Sequence, residues 1–331
     1  MAVLVTGGAG FIGSHLLDRL MQRGDDVVCL DNFDDYYAPE AKRANLASAV
    51  AGGRVELVEG DIRDADLCMD VVGRADVGAV VHLAARAGVP ASLERPQLCE
   101  QVNCGGTVNL LEAARRSGRV GRFVFASSSS VYGVNSKVPF AEDDPVPRPV
   151  SPYAATKRAG ELLCHVYHHL YGLSIVCLRF FTVYGPRQRP DLAIHRFARL
   201  IEEGRPIPVC GDGDASRDYT YVSDTVDGIV AALDAPRERI GFEVINLGNG
   251  SPVRLGELVN LMQEALGREA VVERRPPRPG DVPVTWADLS RARALLGYEP
   301  RVPIRQGLAR FVEWLRRQGS PPTRTESPTP G

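Results

Sequence analysis

The chain opens with short apolar blocks alternating with helical stripes. Ala2–Thr6 is an unbroken apolar, β-rich run of strand length. Phe11, Ile12, Leu16, Leu17 and Leu20 then recur at helical spacing, and Gly24 is placed to stop that helix. A second apolar block at 26–30 ends in Asp31. The rhythm continues, predicting strands at 54–59, 78–83, 122–126 and 174–179 and helices at 39–50, 65–73, 92–117 and 153–171. Such alternation predicts an α/β fold with a doubly wound parallel sheet and helices on both faces. From Phe180 onward the rhythm weakens, and loops are expected at 185–187, 204–206 and 276–280. Short helices are expected at 193–203, 255–266, 288–296 and 304–317. We therefore expect a nucleotide domain of residues 1–179 with 220–248 and a smaller, discontinuous substrate lobe of 180–219 with 249–318. Residues 319–331 are rich in proline, serine and threonine, with no apolar anchor, and are expected to be disordered.

The first strand runs into Gly7-Gly8-Ala9-Gly10-Phe11-Ile12-Gly13. Glycines there permit a tight turn and close approach of backbone to a pyrophosphate, and the helix that follows offers unpaired N–H groups. Asp31 lies eighteen residues past Gly13, near the spacing of the carboxylate that binds the adenosine ribose hydroxyls. Strand, glycines, helix, strand and acid in this order predict a Rossmann-type site for a dinucleotide. An acid at that place favours NAD over NADP, because it repels a 2′-phosphate. Ligands of such sheets bind outside the carboxyl ends of the strands, where Gly7, Asp31, Asp61, Ala84 and Ser127 are expected.

Composition narrows the partners. A net charge of −2 suggests neither nucleic acid nor a membrane surface. The seven cysteines are scattered, odd in number and without a Cys-x-x-Cys pair, which favours reduced thiols in the cytosol. A strand from residue 2 leaves no room for a signal peptide, and no apolar run approaches a membrane span. His165, His168 and His169 share a helical stretch, but no acid or cysteine cluster accompanies them, so no metal is expected.

Candidate chemistry centres on Tyr153 and Lys157 in Ser151-Pro152-Tyr153-Ala-Ala-Thr-Lys157. On a helix, positions i and i+4 share a face about 5–6 Å apart. An ammonium there is expected to lower the tyrosine pKa from about 10, favouring a proton shuttle near pH 7. Such a pair alone is common in helices. Upstream, Ser127-Ser128-Ser129-Ser130-Val131-Tyr132-Gly133 follows the fifth strand, and its hydroxyls are suited to hydrogen-bond a substrate hydroxyl beside Tyr153.

Across residues 2–315 these stretches, with Arg179 to Pro186, Arg217-Asp218-Tyr219, Asn246-Leu247-Gly248 and Pro277-Arg278-Pro279-Gly280-Asp281, resemble the extended short-chain dehydrogenase/reductases, and within them the nucleotide-sugar epimerases. The resemblance implies tightly bound NAD, a UDP-sugar substrate and a homodimer formed through the Tyr153 helix and the helix ending near Ser117. It implies cofactor contacts from Gly7, Gly10, Phe11, Ile12, Gly13, Asp31, Asn32, Asp61, Ile62, Leu83, Ala84, Ala85, Asn103, Tyr153 and Lys157. It makes Arg217 and Arg278 the arginines that hold the substrate diphosphate, a role suited to a fork of permanent charge. Asp281 is then a ribose contact. Tyr153, Lys157, Ser128 and Ser130 are the expected catalytic residues.

Members share a first step, in which the tyrosine takes the proton of the sugar 4-hydroxyl while the hydride leaves carbon 4. Dehydratases and decarboxylases of the family carry acids where this chain has Ser129 and Ser130. Hydroxyls there leave re-reduction of the ketone on its other face, which is epimerisation. Residues 31–37 and 179–191 resemble UDP-glucuronate 4-epimerases, and Thr182 replaces an asparagine usual in UDP-glucose epimerases. Thr182 and Arg189 are thereby expected at the sugar. After Ala87-Gly88-Val89 such relatives often carry an arginine; this chain has Pro90, with Arg86 nearby. The alternatives are a UDP-glucose or UDP-N-acetylglucosamine 4-epimerase, a UDP-glucuronate decarboxylase, and a non-catalytic NAD-binding regulator.

Overall fold

In the computed structural model, which describes residues 1–276 and 282–318, the chain begins β1 (Ala2–Thr6), α1 (Phe11–Arg23), β2 (Val27–Asp31), α2 (Pro39–Ala51), β3 (Val55–Glu59), α3 (Ala65–Val72) and β4 (Val77–His82). It continues through α4 (Val89–Glu94), α5 (Pro96–Glu100), α6 (Gly106–Ser117), β5 (Arg122–Ser128), α7 (Pro152–Tyr171) and β6 (Ile175–Phe180). β7 (Thr182–Tyr184), α8 (Ala193–Glu202), β8 (Ile207–Cys210), β9 (Ser216–Tyr221), α9 (Val222–Asp234) and β10 (Phe242–Leu247) follow. The last elements are β11 (Pro252–Arg254), α10 (Leu255–Leu266), β12 (Val272–Arg275), α11 (Ser290–Leu296) and α12 (Ile304–Arg317).

Seven parallel strands form one sheet in the order β10-β6-β5-β4-β1-β2-β3. β1, β2 and β5 are buried at every residue, which is why they read as continuous apolar runs rather than alternating ones. The order reverses between β1 and β4, and that switch point opens a crevice at the carboxyl ends of the strands. Helix signals act where the sequence places them. Gly24 ends α1 in left-handed backbone, φ 87°, with its N–H on Leu20 O and Met21 O. Ser151 caps α7 by accepting the Ala154 N–H at 3.1 Å, with Pro152 in the first turn.

Two expectations change. The single helix expected over 92–117 is broken into α4, α5, a π-turn at Gln101–Gly105 and α6. Pro96 lacks the N–H that a continuous helix needs. α9 and β10 had no predicted counterpart. β10 adds the seventh strand beside β6, and α9 packs on α1. Residues 277–281, where most of the loop expected at 276–280 falls, and residues 319–331 lie outside the described residues.

The remaining strands make two small sheets, β11-β9-β7 and β12-β8. Asp218 on β9, fully buried, knits this region together by accepting the N–H groups of Asn249, Gly250 and Ala287.

Candidate active site

A cleft of about 430 Å³ lies at the switch point. One end is built from backbone. Gly7 has φ 72°, and a Cβ there would meet Ala84 N at 2.7 Å. A Cβ on Gly13 would sit 2.2 Å from Gly7 O. Only glycine lets this turn close, and it aims the unpaired amides at the start of α1 into the cleft. Asp31 ends β2 and takes a backbone N–H on each oxygen, Ala9 at 3.0 Å and Phe33 at 2.9 Å. Burial pushes its carboxyl up, against these two donors. A glycine cradle, free helix amides and an oriented carboxylate fit a dinucleotide.

Gly7, Gly10, Phe11, Ile12, Gly13, Asp31, Asn32, Asp61, Ile62, Leu83, Ala84, Ala85, Tyr153 and Lys157 all line the cleft. Asp61 is held at about 2, chiefly by its hydrogen bonds from Arg63. Asn103 does not line it. Its carboxamide accepts the Arg86 N–H and donates to Arg86 O and Thr156 Oγ1, so it braces the β4 end against α7. His82 is likewise internal, between the hydroxyls of Thr6 and Thr107 at 2.8 and 3.0 Å. Burial pushes it down to about 3, and it is neutral.

At the other end α7 presents Tyr153 and Lys157. Lys157 is 4% exposed, donates to Ala126 O at 2.7 Å, and stands 6.0 Å from the centre of the Tyr153 ring. Burial lowers it to about 8, which leaves it charged at pH 7. The expected direction for the tyrosine is reversed. Burial pushes the Tyr153 phenol up, opposed by a hydrogen bond with Ser128 and the charge of Arg189 rather than by Lys157. Desolvation of the buried phenol outweighs the groups that favour its charged form.

The serine loop divides its labour. Ser128 Oγ donates to Ser130 Oγ at 3.1 Å and accepts the Ser130 N–H, and these linked hydroxyls line the cleft with Ser129 and Tyr153. Ser127 instead turns back to Glu161 at 2.6 Å. Glu161, 1% exposed, is held by Arg179 through both oxygens (2.8 and 2.9 Å) and by Arg158 at 2.8 Å. Burial raises this carboxyl, but Arg179 and its other donors bring it below its ordinary value. Breaking such a buried pair costs about 3–5 kcal/mol. Glu161 is structural and has no proton to give.

The opposite wall is made of side chains from distant segments. Thr182 lines the cleft at the start of β7. Tyr36 lies between two guanidiniums, Arg86 at 4.6 Å and Arg189 at 5.1 Å from its ring centre. Arg86 pairs with Asp34, and Arg189 with Asp191 at 2.8 Å. Two buried polar atoms in this wall, Arg86 Nε and Tyr37 Oη, have no hydrogen-bond partner from the protein. Lys42, 7% exposed and also in the lining, was not singled out from sequence. It stands over the Tyr37 ring at 4.7 Å, and its one advance signal was a lysine on an otherwise weakly patterned helix. Arg217 lies on β9 and does not line the cleft, while Arg278 and Asp281 fall outside the described residues. Among the described residues no three metal-ligating side chains converge, and no helix is long and apolar enough to cross a membrane.

A glycine cradle, a tyrosine–lysine pair and a hydroxyl chain on a seven-stranded Rossmann sheet define a dinucleotide-dependent enzyme site. The chain belongs to the NAD dependent epimerase/dehydratase family, whose model matches residues 3–248. It is 44% identical to UDP-glucuronate 4-epimerase 4 of Arabidopsis thaliana, over 95% of this chain and 75% of that protein. It is 43% identical to UDP-glucuronate 4-epimerase of Thermodesulfobacterium geofontis, over 95% of each. The structure superimposes on the UDP-glucuronic acid 4-epimerase of Bacillus cereus, crystallised with UDP-glucuronic acid and NAD, with a TM-score of 0.90 and 38% identity over 96% of this chain and all of that one.

Proposed function

We propose that this protein inverts carbon 4 of a UDP-sugar, converting UDP-glucuronate to UDP-galacturonate through a transient 4-keto sugar. One observation carries the reaction type: the loop beside Tyr153 offers hydroxyls, and the carboxylate behind that loop, Glu161, is bound by Ser127 and Arg179. With no acid to move a further proton on the ketone, its reduction from the other face is the remaining outcome. NAD held by the glycine turn and Asp31 supplies a hydride acceptor and donor for carbon 4, and a positive charge that favours phenolate. Tyr153 takes the 4-hydroxyl proton, and Ser128 and Ser130 orient that hydroxyl and share the proton. Lys157 keeps positive charge behind the tyrosine.

The keto acid formed from a glucuronate has its carboxylate β to the ketone and tends to lose carbon dioxide. Thr182 and the serine loop hold that carboxylate in an orientation that resists cleavage, and Arg189 and Arg86 supply cations on the same wall. We assign the diphosphate to Arg217 and Arg278 and a ribose contact to Asp281. We also assign residues 180–219 and 249–318 to substrate binding, and the rest of the described chain to NAD. Leu162, Val166 and Leu170 leave an apolar stripe 44–60% exposed along α7, which supports a homodimer packed on that helix. Seven free thiols support a cytosolic setting.

The test is to incubate the purified protein with UDP-glucuronate and resolve the UDP-sugars. UDP-galacturonate supports the reading. UDP-pentoses would make the protein a decarboxylase, and no turnover of any UDP-hexose with NAD bound would make it a regulator.

A further inference from the structure

The turn at 185–188 is held in a shape that its residues do not favour. Arg187 has φ 62°, a left-handed backbone that a side-chain-bearing residue rarely adopts. Gly185 stands at φ 145°, and a Cβ on it would lie 2.7 Å from Val222 Cγ1. The turn closes by a hydrogen bond from Gln188 N to Gly185 O at 3.2 Å. Strain of this kind persists only where the surroundings impose it.

The surroundings are two grips from α1. Arg187 Nη1 donates to Asp18 Oδ2 at 2.7 Å, with the two side chains 23% and 26% exposed. His15 Nε2 donates to Pro186 O at 2.9 Å. α1 is the helix whose first residues line the cofactor end of the cleft. Arg189, two residues beyond the strained position, lines the opposite wall and carries charge toward Tyr153. The turn is thus the direct link between the nucleotide helix and that wall.

We propose that Asp18 and His15 are positioning residues for Arg189. They hold Arg187 in left-handed backbone, and the turn so formed aims the next arginine into the cleft. Seating of α1 and alignment of the substrate wall are then one event. The inference rests on the reading that Arg189 contacts the UDP-sugar.

The experiment uses the full-length protein with UDP-glucuronate. Asp18→Asn and Arg187→Ala should each raise KM about tenfold, the scale expected when one strained residue relaxes. NAD content should stay at the wild-type level and kcat within about twofold of it. Arg187→Gly should keep KM within about threefold of wild type, because glycine takes this backbone unaided. Asp18→Glu should restore most of the loss. Limited trypsin digestion gives a readout independent of turnover: cleavage after Arg187 should be faster in Asp18→Asn. Wild-type KM and trypsin rate in Asp18→Asn would overturn the proposal. So would an Arg187→Gly variant as impaired as Arg187→Ala, since the arginine's charge would then matter and not the turn. An Arg189→Gln variant with unchanged KM would instead remove the substrate contact itself, while the trypsin arm would still report on the grip.

Discussion

The two ends of the cleft are made differently. The cofactor end is mostly backbone: glycines that no side chain can replace, helix amides and a carboxylate oriented by two N–H groups. These parts come from residues 7–33, in and just after one βαβ unit. The substrate end is mostly side chain. Tyr36, Arg86, Tyr153, Thr182 and Arg189 come from five separate segments, and their charges are balanced pairwise by Asp34 and Asp191. A backbone site tolerates almost no substitution but is locally encoded. A side-chain site is open to replacement.

The contrast can be broken at several points, the largest effect first. Tyr153 stands where both ends meet. Tyr153→Phe should lower kcat by roughly 10²–10⁴-fold, the range for a lost general acid–base group, with NAD content unchanged. Loss of NAD in that variant would place the phenol with the cofactor cradle instead. Gly13→Ala should do the reverse. Its Cβ would meet Gly7 O at 2.2 Å, and the backbone shift should cost about 1–3 kcal/mol of stability and leave the purified protein depleted of NAD. A variant that retains wild-type NAD would show that the turn is not as close as it reads.

The lysine sharpens the comparison through pH. Its folded value of about 8 lies below the unfolded value of about 10.4, so its charge is disfavoured by folding. That cost is full below about pH 8 and is relieved as pH rises toward 10.4. Activity should therefore fall above about pH 8 as the ammonium is lost, and Lys157→Met should be inactive at pH 7 with no drop in Tm. A pH–rate profile without an alkaline limb, or a Tm lowered by Lys157→Met, would contradict this. The smallest effect is expected at Thr182. Thr182→Val should shift the products of UDP-glucuronate toward decarboxylated UDP-pentose, with about a severalfold loss of epimerase rate for one lost hydrogen bond. Unchanged rate and products would release Thr182 from carboxylate binding.

Much of this was legible in the chain. The βα rhythm, the glycine turn, Asp31, the Gly24 stop of α1 and the pairing of Tyr153 with Lys157 all depend on neighbours within a few turns or one strand. Local sterics and periodicity are enough to announce them. Other features depended on what packs against them. Asn103 and Ser127 look like site residues in sequence, yet contacts to Thr156, Arg86 and Glu161 draw their polar groups inward. Tyr153 was expected to be lowered by Lys157, but the depth of burial, which no spacing reports, reversed the sign. Lys42 carried no motif at all.

By itself, then, the sequence determined the class of fold, the glycine turn with its acid and the placing of Tyr153 and Lys157 on one helix, because each is written in short-range pattern. The tertiary structure decided which hydroxyls and cations line the cleft beside Tyr153, which carboxylate is turned away from it, and how α1 grips the turn before Arg189. Those depend on contacts between separate elements, from Ser127 with Glu161 and Arg86 with Asp34 to Asp18 with Arg187 and Tyr36 with Asp191, and on the desolvation that packing imposes.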